Sequence, residues 1–240
     1  MDAPSYVALS RQLGLERQLA VIANNIANAN TTGYLADDMS FEAVRQRASR
    51  RVEVAYVQDL TVRPDLTEGE LVGTGGIFDF GIAGDGFFAV ETPGGTRYTR
   101  AGHFRLDEDN QLVTWDGHPV LDTGDAPIVL PADNSRLQVA GDGTLSIDDE
   151  VVGQMQRARF ADPGLLEREG AMLFRSDERP TAATDAQVSQ GMLEASNVEP
   201  VLAMTAMLET TRAFEATQKL IEAQHDLTRQ AVERLLDTKS

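Results

Sequence analysis

Residues 23–34 have the sequence Ala23-Asn-Asn-Ile-Ala-Asn-Ala-Asn-Thr-Thr-Gly-Tyr34, in which four Asn and two Thr fall close together. Asn and Gly tolerate left-handed backbone, and Asn and Thr side chains compete for backbone hydrogen bonds, so a helix is expected to end here. One such residue is enough for a helix cap. The surplus amides therefore predict a surface that makes directional hydrogen bonds to the backbones of partners, with an elaborate cap as the alternative.

The residues before this segment predict an amphipathic helix over 5–28. Its apolar positions recur at steps of three and four, which is the spacing of one helix face. These positions are Leu15, Leu19, Ile22 and Ile26, with Tyr6, Leu9 and Leu13 upstream.

The other end of the chain predicts a longer helix that begins near Pro200. No Gly or Pro lies between Val201 and Ser240, and such a helix is roughly 55 to 60 Å long, more than any core of this chain can span. Its apolar positions include Met204, Leu208, Phe214, Leu220 and Leu227. We expect the two chain ends to come together and cover their apolar stripes.

Between the helices, residues 65–185 carry frequent Gly, Pro and Asp-Gly pairs separated by short apolar runs, which predicts an antiparallel β body. Segment 36–64 is expected to be a connector of mixed or extended structure. The predicted hairpin turns are Pro93-Gly94-Gly95, Asp107 to Asn110, Asp116-Gly117, Asp142-Gly143 and Asp149-Glu150.

The charge distribution argues against nucleic-acid and membrane partners. The net charge is −17, and residues 65–150 carry 17 Asp and Glu against four Arg, a balance of −13. Such a body repels phosphate backbones and anionic lipid headgroups. Arg11, Glu16 and Arg17 interrupt the N-terminal apolar residues, so we expect no cleaved signal peptide and no membrane insertion.

No catalytic, cofactor or metal site is predicted, and we expect neither enzymatic activity nor a small-molecule substrate. The chain has no Cys, its three His are scattered, and the acidic clusters lack the spacing of a calcium loop. The Gly-rich residues 73–86 precede the apolar run 87–90, which indicates turns and bulges instead of a phosphate loop. The basic cluster Arg45, Arg47, Arg50 and Arg51 is either a solvated face or a contact with an acidic neighbour.

Residues 24–34 resemble the N-terminal signature of the flagellar rod, hook and hook-associated protein family, Asn-Asn-(Leu/Ile)-Ala-Asn-x-Asn-Thr-Thr-Gly-(Phe/Tyr). Further blocks are similar to those of the same family: Gly84-Asp-Gly-Phe-Phe88, Tyr98-Thr-Arg-Ala-Gly-His-Phe104, Gly191-Met-Leu-Glu-Ala-Ser-Asn-Val198 and Thr211-Arg-Ala-Phe-Glu-Ala-Thr-Gln-Lys219. Length and the opening residues are more similar to proximal rod members than to distal rod members. Thr217 departs from the family, which usually has Asn there.

The resemblance implies an α+β fold in which N- and C-terminal α-helices pack as a coiled coil, often disordered in the monomer, around a central, mainly antiparallel β domain. The implied domains are 1–35 together with 195–240 for polymerisation, 36–64 as an extended connector and 65–194 as a β-rich outer domain. The predicted assembly interface consists of Leu15, Leu19, Ile22, Asn24, Asn25, Ile26, Asn28, Asn30, Thr31, Thr32, Gly33, Tyr34, Asn197, Val198, Met204, Leu208, Arg212, Phe214, Leu220 and Leu227.

The resemblance also implies a structural subunit of the flagellar rod that assembles helically through its terminal helices and transmits motor torque toward the hook. Its implied partners are other rod subunits, further copies of itself and the flagellar type III export apparatus, and its implied location is the periplasmic rod. We expect the terminal helices to order only as neighbouring subunits cover them. The alternative is a stalked β-domain binding module, although only 6% of the residues are aromatic.

Overall fold

The computed structural model describes residues 3–49 and 52–237. Helix α1 spans Ala3–Ala27, and helix α2 spans Pro200–Asp237. Both predicted helices are confirmed. Helix α2 continues for 38 residues without a break, as expected of a segment that has no Gly or Pro after its first residue.

The described residues between the two helices form strands of 2 to 13 residues, joined by turns and loops, with a single 3₁₀ turn at Pro163–Leu165. The strands are β1 (Asp37–Ser49), β2 (Val52–Pro64), β3 (Leu71–Gly73), β4 (Phe80–Ala83), β5 (Phe87–Thr92), β6 (Gly95–Thr99), β7 (Phe104–Leu106), β8 (Leu112–Thr114), β9 (Leu137–Val139), β10 (Thr144–Ile147), β11 (Glu150–Gln154), β12 (Arg157–Arg159), β13 (Glu167–Glu169), β14 (Leu173–Arg175), β15 (Thr181–Ala182), β16 (Gln187–Gln190) and β17 (Met192–Glu194).

The strand pairings from β3 onward are antiparallel, which confirms a mainly antiparallel β domain and, with the two helices, the α+β fold. The largest sheet has six strands in the order β13-β14-β6-β5-β12-β15, and a smaller one has the order β11-β10-β9. The remaining strands form two-stranded ribbons, β16-β4, β17-β3 and β7-β8.

The hairpin turns lie close to where the sequence predicts them. Gly95, Gly117 and Gly143 all have positive φ angles, of 100°, 89° and 77°, which suits glycine at three of the predicted turns. The turn predicted at Asp149-Glu150 begins one residue earlier. Asp148 and Asp149 have φ angles of 51° and 67°, the left-handed pair of a two-residue hairpin, so Glu150 already belongs to β11.

The chain divides into two compact units. The first consists of residues 1–27, 37–62 and 199–240, and the second of residues 28–36 and 63–198. The domains inferred from the resemblance stay a prediction, because the compactness of one chain does not test which segments polymerise.

In the first unit, α1 packs against α2, and β1 contacts α1. Strands β1 and β2 form a two-stranded sheet, so the segment expected to be mixed or extended is extended over 37–49 and 52–64.

In the second unit, strand β5 separates two hydrophobic clusters. Neighbouring side chains of a strand point to opposite faces, so Phe88 joins one cluster and Phe87 the other. Phe88 contacts Phe104 edge to face, with ring centroids 5.3 Å apart, and Phe87 contacts Phe174 in the same way at 5.8 Å. A strand buried on both faces explains why residues 87–90 are continuously apolar instead of alternating.

Candidate assembly interface

Helix α2 buries a face made of small side chains. Thr210 and Thr217 are buried, and Ala203, Ala206 and Ala213 on the same face are half-buried. Each Thr hydroxyl donates to the carbonyl four residues earlier, at 2.8 Å, so both buried hydroxyls are paired. Small residues let helices approach closely, and Thr217 takes part in this face.

The large apolar side chains of α2 are exposed instead. Met204, Leu208, Leu220 and Leu227 are 54%, 60%, 61% and 66% exposed, whereas Phe214 and Ile221 are half-buried. The expectation that the two chain ends cover this stripe within one molecule is therefore wrong for these four residues. Their assignment to an interface between molecules stays a prediction, as does that of the exposed Arg212.

The predicted stripe of α1 is covered more fully than that of α2. Ile22 is buried, and Leu15, Leu19 and Ile26 are half-buried. The upstream residues Leu9 and Leu13 stay 44% and 52% exposed. The large apolar side chains of α1 are therefore covered more fully toward its C-terminal end than upstream.

The Asn-rich segment makes several of its hydrogen bonds within the chain. Asn25 accepts from the backbone N–H of Asp37 through Oδ1 and donates to the Asp37 carbonyl through Nδ2, both at 2.9 Å. The Asn28 carbonyl accepts from the Thr31 amide at 3.0 Å, and Asn28 Oδ1 from the Thr31 hydroxyl at 3.2 Å. Asn24 and Asn30 are exposed, and Thr32 is half-buried. Asn25 thus binds an extended backbone as predicted, but that backbone belongs to its own chain.

Gly33 is required where the segment meets the β unit. Its φ angle is +69°, and a Cβ atom on it would lie 2.4 Å from the Cα and N atoms of Ala101. Its N–H donates to the carbonyl of Glu194 at 2.8 Å. Only glycine fits both the backbone conformation and this close approach.

Tyr34 and Leu35 are buried against Arg168, which anchors the segment next to Gly33. The Arg168 guanidinium lies 4.7 Å from the Tyr34 ring centroid and 4.9 Å from that of Phe174, within cation–π range of both. It also donates to the Leu35 carbonyl at 2.5 Å.

A buried ion pair lies beside this anchor. Arg100 Nε is 2.8 Å from Glu194 Oε2, and the two side chains are only 4% and 1% exposed. This contact is a close ion pair without the alignment of a hydrogen bond, while Glu194 Oε1 accepts from Arg100 Nη2 at 3.3 Å and from the Gly69 amide at 3.0 Å. Arg100 Nη1 donates to the carbonyls of Gly84 and Gly86, each at 2.7 Å.

Burial raises the pKa of Glu194, and the opposing effects of Arg100 and the Gly69 amide only partly offset it. The Arg100–Glu194 pair joins three parts of the chain whose sequence blocks resemble one family. Sequence reasoning missed Arg100, Glu194 and Arg168 as site residues. For Arg100 and Glu194 the available signal was a single charged residue beside residues that the sequence predicts to be buried, since a buried charge requires a partner. Arg168 lies between Glu167 and Glu169, so the sequence around it carries no such signal.

Asn197 binds three backbone groups of its own unit. Its Oδ1 accepts from the Ala36 amide at 2.6 Å, and its Nδ2 donates to the carbonyls of Asp65 and Thr67 at 2.9 Å. The neighbouring Val198 is buried. The sequence assigns Asn197 to the assembly interface. In the structure its side chain joins Ala36, at the end of segment 28–36, to the residues that follow β2.

The acidic cluster at residues 107–110, which could suggest a calcium site, forms a turn. Asp107 Oδ1 accepts from the Asp109 and Gln111 amides at 2.9 and 2.8 Å, so this acidic cluster forms a hairpin tip. No group of His, Cys, Asp or Glu in the described residues could hold a metal ion. Neither described helix is long and apolar enough to cross a membrane. The basic-cluster side chains of Arg45, Arg47, Arg50 and Arg51 lie outside the described residues.

Exposed large apolar side chains along a terminal helix are typical of a chain that associates with other chains. Three family models match the chain. They describe a "Flagella basal body rod protein" over residues 6–34, a "Flagellar hook protein FlgE/F/G D1 domain" over 81–147 and a "Flagellar basal body rod FlgEFG protein C-terminal" over 189–234.

Curated relatives that are flagellar basal-body rod proteins are similar to this sequence over nearly its whole length. "Flagellar basal-body rod protein FlgF" of Caulobacter vibrioides is 40% identical, and its namesake of Mesorhizobium japonicum 39%, each over 98% of both chains. "Flagellar basal-body rod protein FlgG" of Bacillus subtilis is 29% identical over 95% of this chain and 97% of its own. The chain belongs to the flagellar basal-body rod protein family. The resemblance stated from sequence is confirmed, including the greater similarity to FlgF, the proximal rod type, than to FlgG.

Proposed function

We propose that this chain is a structural subunit of the bacterial flagellar basal-body rod and that it assembles helically through α1 and α2. The observation that carries the proposal is the division of α2 into two kinds of surface. Its inward face contains the buried Thr210 and Thr217 with three half-buried Ala residues, whereas Met204, Leu208, Leu220 and Leu227 face solvent. A soluble helix normally shows the opposite arrangement.

The exposed side chains supply a driving force for association. Covering a large aliphatic side chain completely contributes about 1.5–3 kcal/mol, so the four exposed Leu and Met residues of the predicted stripe together provide several kcal/mol. Helix α2 extends for about 57 Å at 1.5 Å per residue, so one neighbour can cover only part of it. A contact in which one copy's helix face meets a different face of the next generates an open helical filament.

The predicted interface residues then fall into two groups. The exposed side chains of Asn24, Asn30, Met204, Leu208, Arg212, Leu220 and Leu227 are available to contact neighbours. The buried or half-buried ones support those contacts from within the subunit: Leu15, Leu19, Ile22, Asn25, Ile26, Asn28, Thr31, Thr32, Gly33, Tyr34, Asn197, Val198 and Phe214.

In this proposal, the terminal helices pack as a coiled coil only after the subunit has joined the rod. The inward face of α2 contains mainly small residues, and its four exposed Leu and Met side chains lack apolar contacts in the single chain. The helices of an isolated subunit are therefore poorly ordered, and they fold as neighbouring subunits add the missing contacts. This coupling keeps the exported chain unpolymerised until it reaches the growing rod.

The proposal extends to export, location and partners. The chain leaves the cytoplasm through the flagellar type III apparatus without cleavage of a signal peptide, joins other rod subunits in the periplasm and transmits torque toward the hook. It has no catalytic role.

The test is complementation of a gene deletion in a flagellated host, with purified basal bodies imaged by electron microscopy. The full chain restores rod completion, and Leu208→Asp does not, because it places a charge in the apolar stripe. The matched control is Val151→Asp, at a position 66% exposed on β11. Normal basal bodies in the deletion strain, or full rescue by Leu208→Asp, would refute the proposal.

A further inference from the structure

The second unit contains a cavity of about 380 Å³ that opens beside the only Trp of the chain. Trp115 is 66% exposed, which is unusual for the largest apolar side chain in a protein. The apolar part of the lining includes Ala101, Met172 and Leu173, and Thr31 and Thr32 form the side that belongs to the Asn-rich segment. We call this cavity the Trp115 pocket.

The aromatic wall of the Trp115 pocket is held in position. The His103 ring lies 5.3 Å from the Trp115 ring at an interplanar angle of 33°, and His103 Nδ1 contacts Asp79 Oδ1 at 2.7 Å. Asp79 is itself buried and accepts from the Thr74 hydroxyl at 2.5 Å. A fixed, exposed aromatic face is the kind of surface that contributes strongly to protein association.

The charge of the Trp115 pocket is negative. Asp116 and Glu169 both contribute to its lining, and Glu169 is 54% exposed although it also pairs with Arg97. An occupant that combines apolar side chains with a cation therefore matches the pocket. A guanidinium can stack on the Trp115 indole and at the same time approach the carboxylate of Asp116.

Helix α2 carries such a combination on its outward face. Met204, Leu208 and Arg212 follow one another at steps of four, so they form one line about 12 Å long. All three are exposed in the single chain, with Leu208 at 60%. The line is therefore uncovered in the molecule that carries it and free to enter the pocket of another.

We propose that the Trp115 pocket receives the Met204–Leu208–Arg212 line of α2 from a second copy of the chain. Leu208 enters the apolar part between Trp115 and Leu173, and Arg212 lies over the indole beside Asp116. The proposal rests on the proposed function, since it specifies which surface of the β unit covers the apolar face of a neighbour's helix.

The first test uses Trp115 as its own reporter. The full chain is titrated with a synthetic peptide of residues 200–219, and the indole emission is followed with selective excitation. A saturable emission change is expected, and the Arg212→Glu peptide binds about tenfold more weakly because it loses the indole contact and meets Asp116. The chain variant Asp116→Lys restores binding of that peptide.

A peptide of residues 6–25 is the matched control, since Leu9, Leu13 and Arg17 repeat the same spacing on α1. Equal or tighter binding of this control overturns the assignment to α2. So does a saturable change that is unaffected by Arg212→Glu, which would describe a pocket for any apolar peptide.

The second test applies if the peptide is too poorly helical to bind, and it uses two full-length chains in assembled rods. The chain has no Cys, so Ala171→Cys in one copy and Thr205→Cys in another can be joined selectively by a short bismaleimide. We expect cross-linked dimers in purified basal bodies, and none when Val151→Cys replaces Ala171→Cys. Complete rods without the cross-link overturn this inference and leave the proposed function intact, whereas failure to form rods with native chains overturns the proposed function.

Discussion

Replacing Gly33 by Ala tests the physical basis of the Asn-Thr-Thr-Gly turn. The left-handed backbone at φ +69° costs a residue with a Cβ atom about 1–2 kcal/mol. The new Cβ also meets the Ala101 backbone at 2.4 Å, and backbone cannot rotate away as a side chain can. Overpacking of this kind costs about 1–3 kcal/mol. We therefore expect Gly33→Ala to lower the free energy of unfolding by about 2–5 kcal/mol.

Gly170→Ala separates the two contributions. Gly170 has almost the same φ angle, +73°, but nothing lies within 4 Å of its ideal Cβ position. This control should lose only the backbone contribution of about 1–2 kcal/mol. The difference between the two variants then measures the close approach of the turn to Ala101.

Urea unfolding followed by far-UV circular dichroism and by Trp115 fluorescence measures both variants. With a slope of about 1–3 kcal/mol per molar urea, a loss of 3 kcal/mol moves the midpoint by about 1–3 M. Hydrogen exchange at the Gly33 amide, which donates to the Glu194 carbonyl, should accelerate in Gly33→Ala alone. Equal midpoints for Gly33→Ala and Gly170→Ala would refute the argument, because the clash would then have no energetic effect.

Three further predictions concern the contacts around this turn. Arg100→Met leaves Glu194 buried without its cation and should destabilise the β unit by about 3–5 kcal/mol in urea unfolding, whereas an unchanged midpoint would contradict the burial of the pair. Because the pKa of Glu194 is raised in the folded state, the free energy of unfolding should fall as the pH rises from 4.5, the ordinary pKa of the group, through the folded-state pKa. The slope of the unfolding free energy against pH should be shallower in Glu194→Gln, and a steeper slope in that variant would disagree. Asn25→Ala removes both hydrogen bonds to Asp37 and should speed exchange of the Asp37 amide, while Asn30→Ala, at an exposed position, serves as the control and should not.

Local signals account for the parts of the fold that the sequence predicted. The two helices follow from apolar spacing and from the absence of Gly and Pro, and most hairpins follow from Gly or Asp at positions that need positive φ angles. The sequence does not decide the structure of segment 36–64, because residues 45–51 could extend a helix whereas residues 52–62 alternate like a strand. Its extended structure depends on pairing between β1 and β2, which no local pattern specifies.

The expectation that the two chain ends cover the apolar stripe of α2 within one molecule was wrong for its four exposed Leu and Met residues. A hydrophobic pattern shows that a helix has an apolar face, but it does not show which molecule covers that face. Thr210 and Thr217 look polar in sequence, yet their hydroxyls bond to their own helix and so can be buried. Once those hydroxyls are satisfied, the small face packs inward and the Leu and Met residues remain outside.

The buried Arg100–Glu194 pair explains why the turn, the β unit and the residues before α2 act as one element. Burying two charges stabilises a fold only when their remaining hydrogen-bonding groups also find partners. Here those partners are the Gly69 amide and the carbonyls of Gly84 and Gly86, while the Glu194 backbone carbonyl binds the Gly33 amide. Removing the Gly69 amide or one of the two carbonyls takes a hydrogen-bond partner away from a buried charge. The residues that follow α1 and those that precede α2 are therefore fixed to the same β unit, even if the helices themselves order only during assembly.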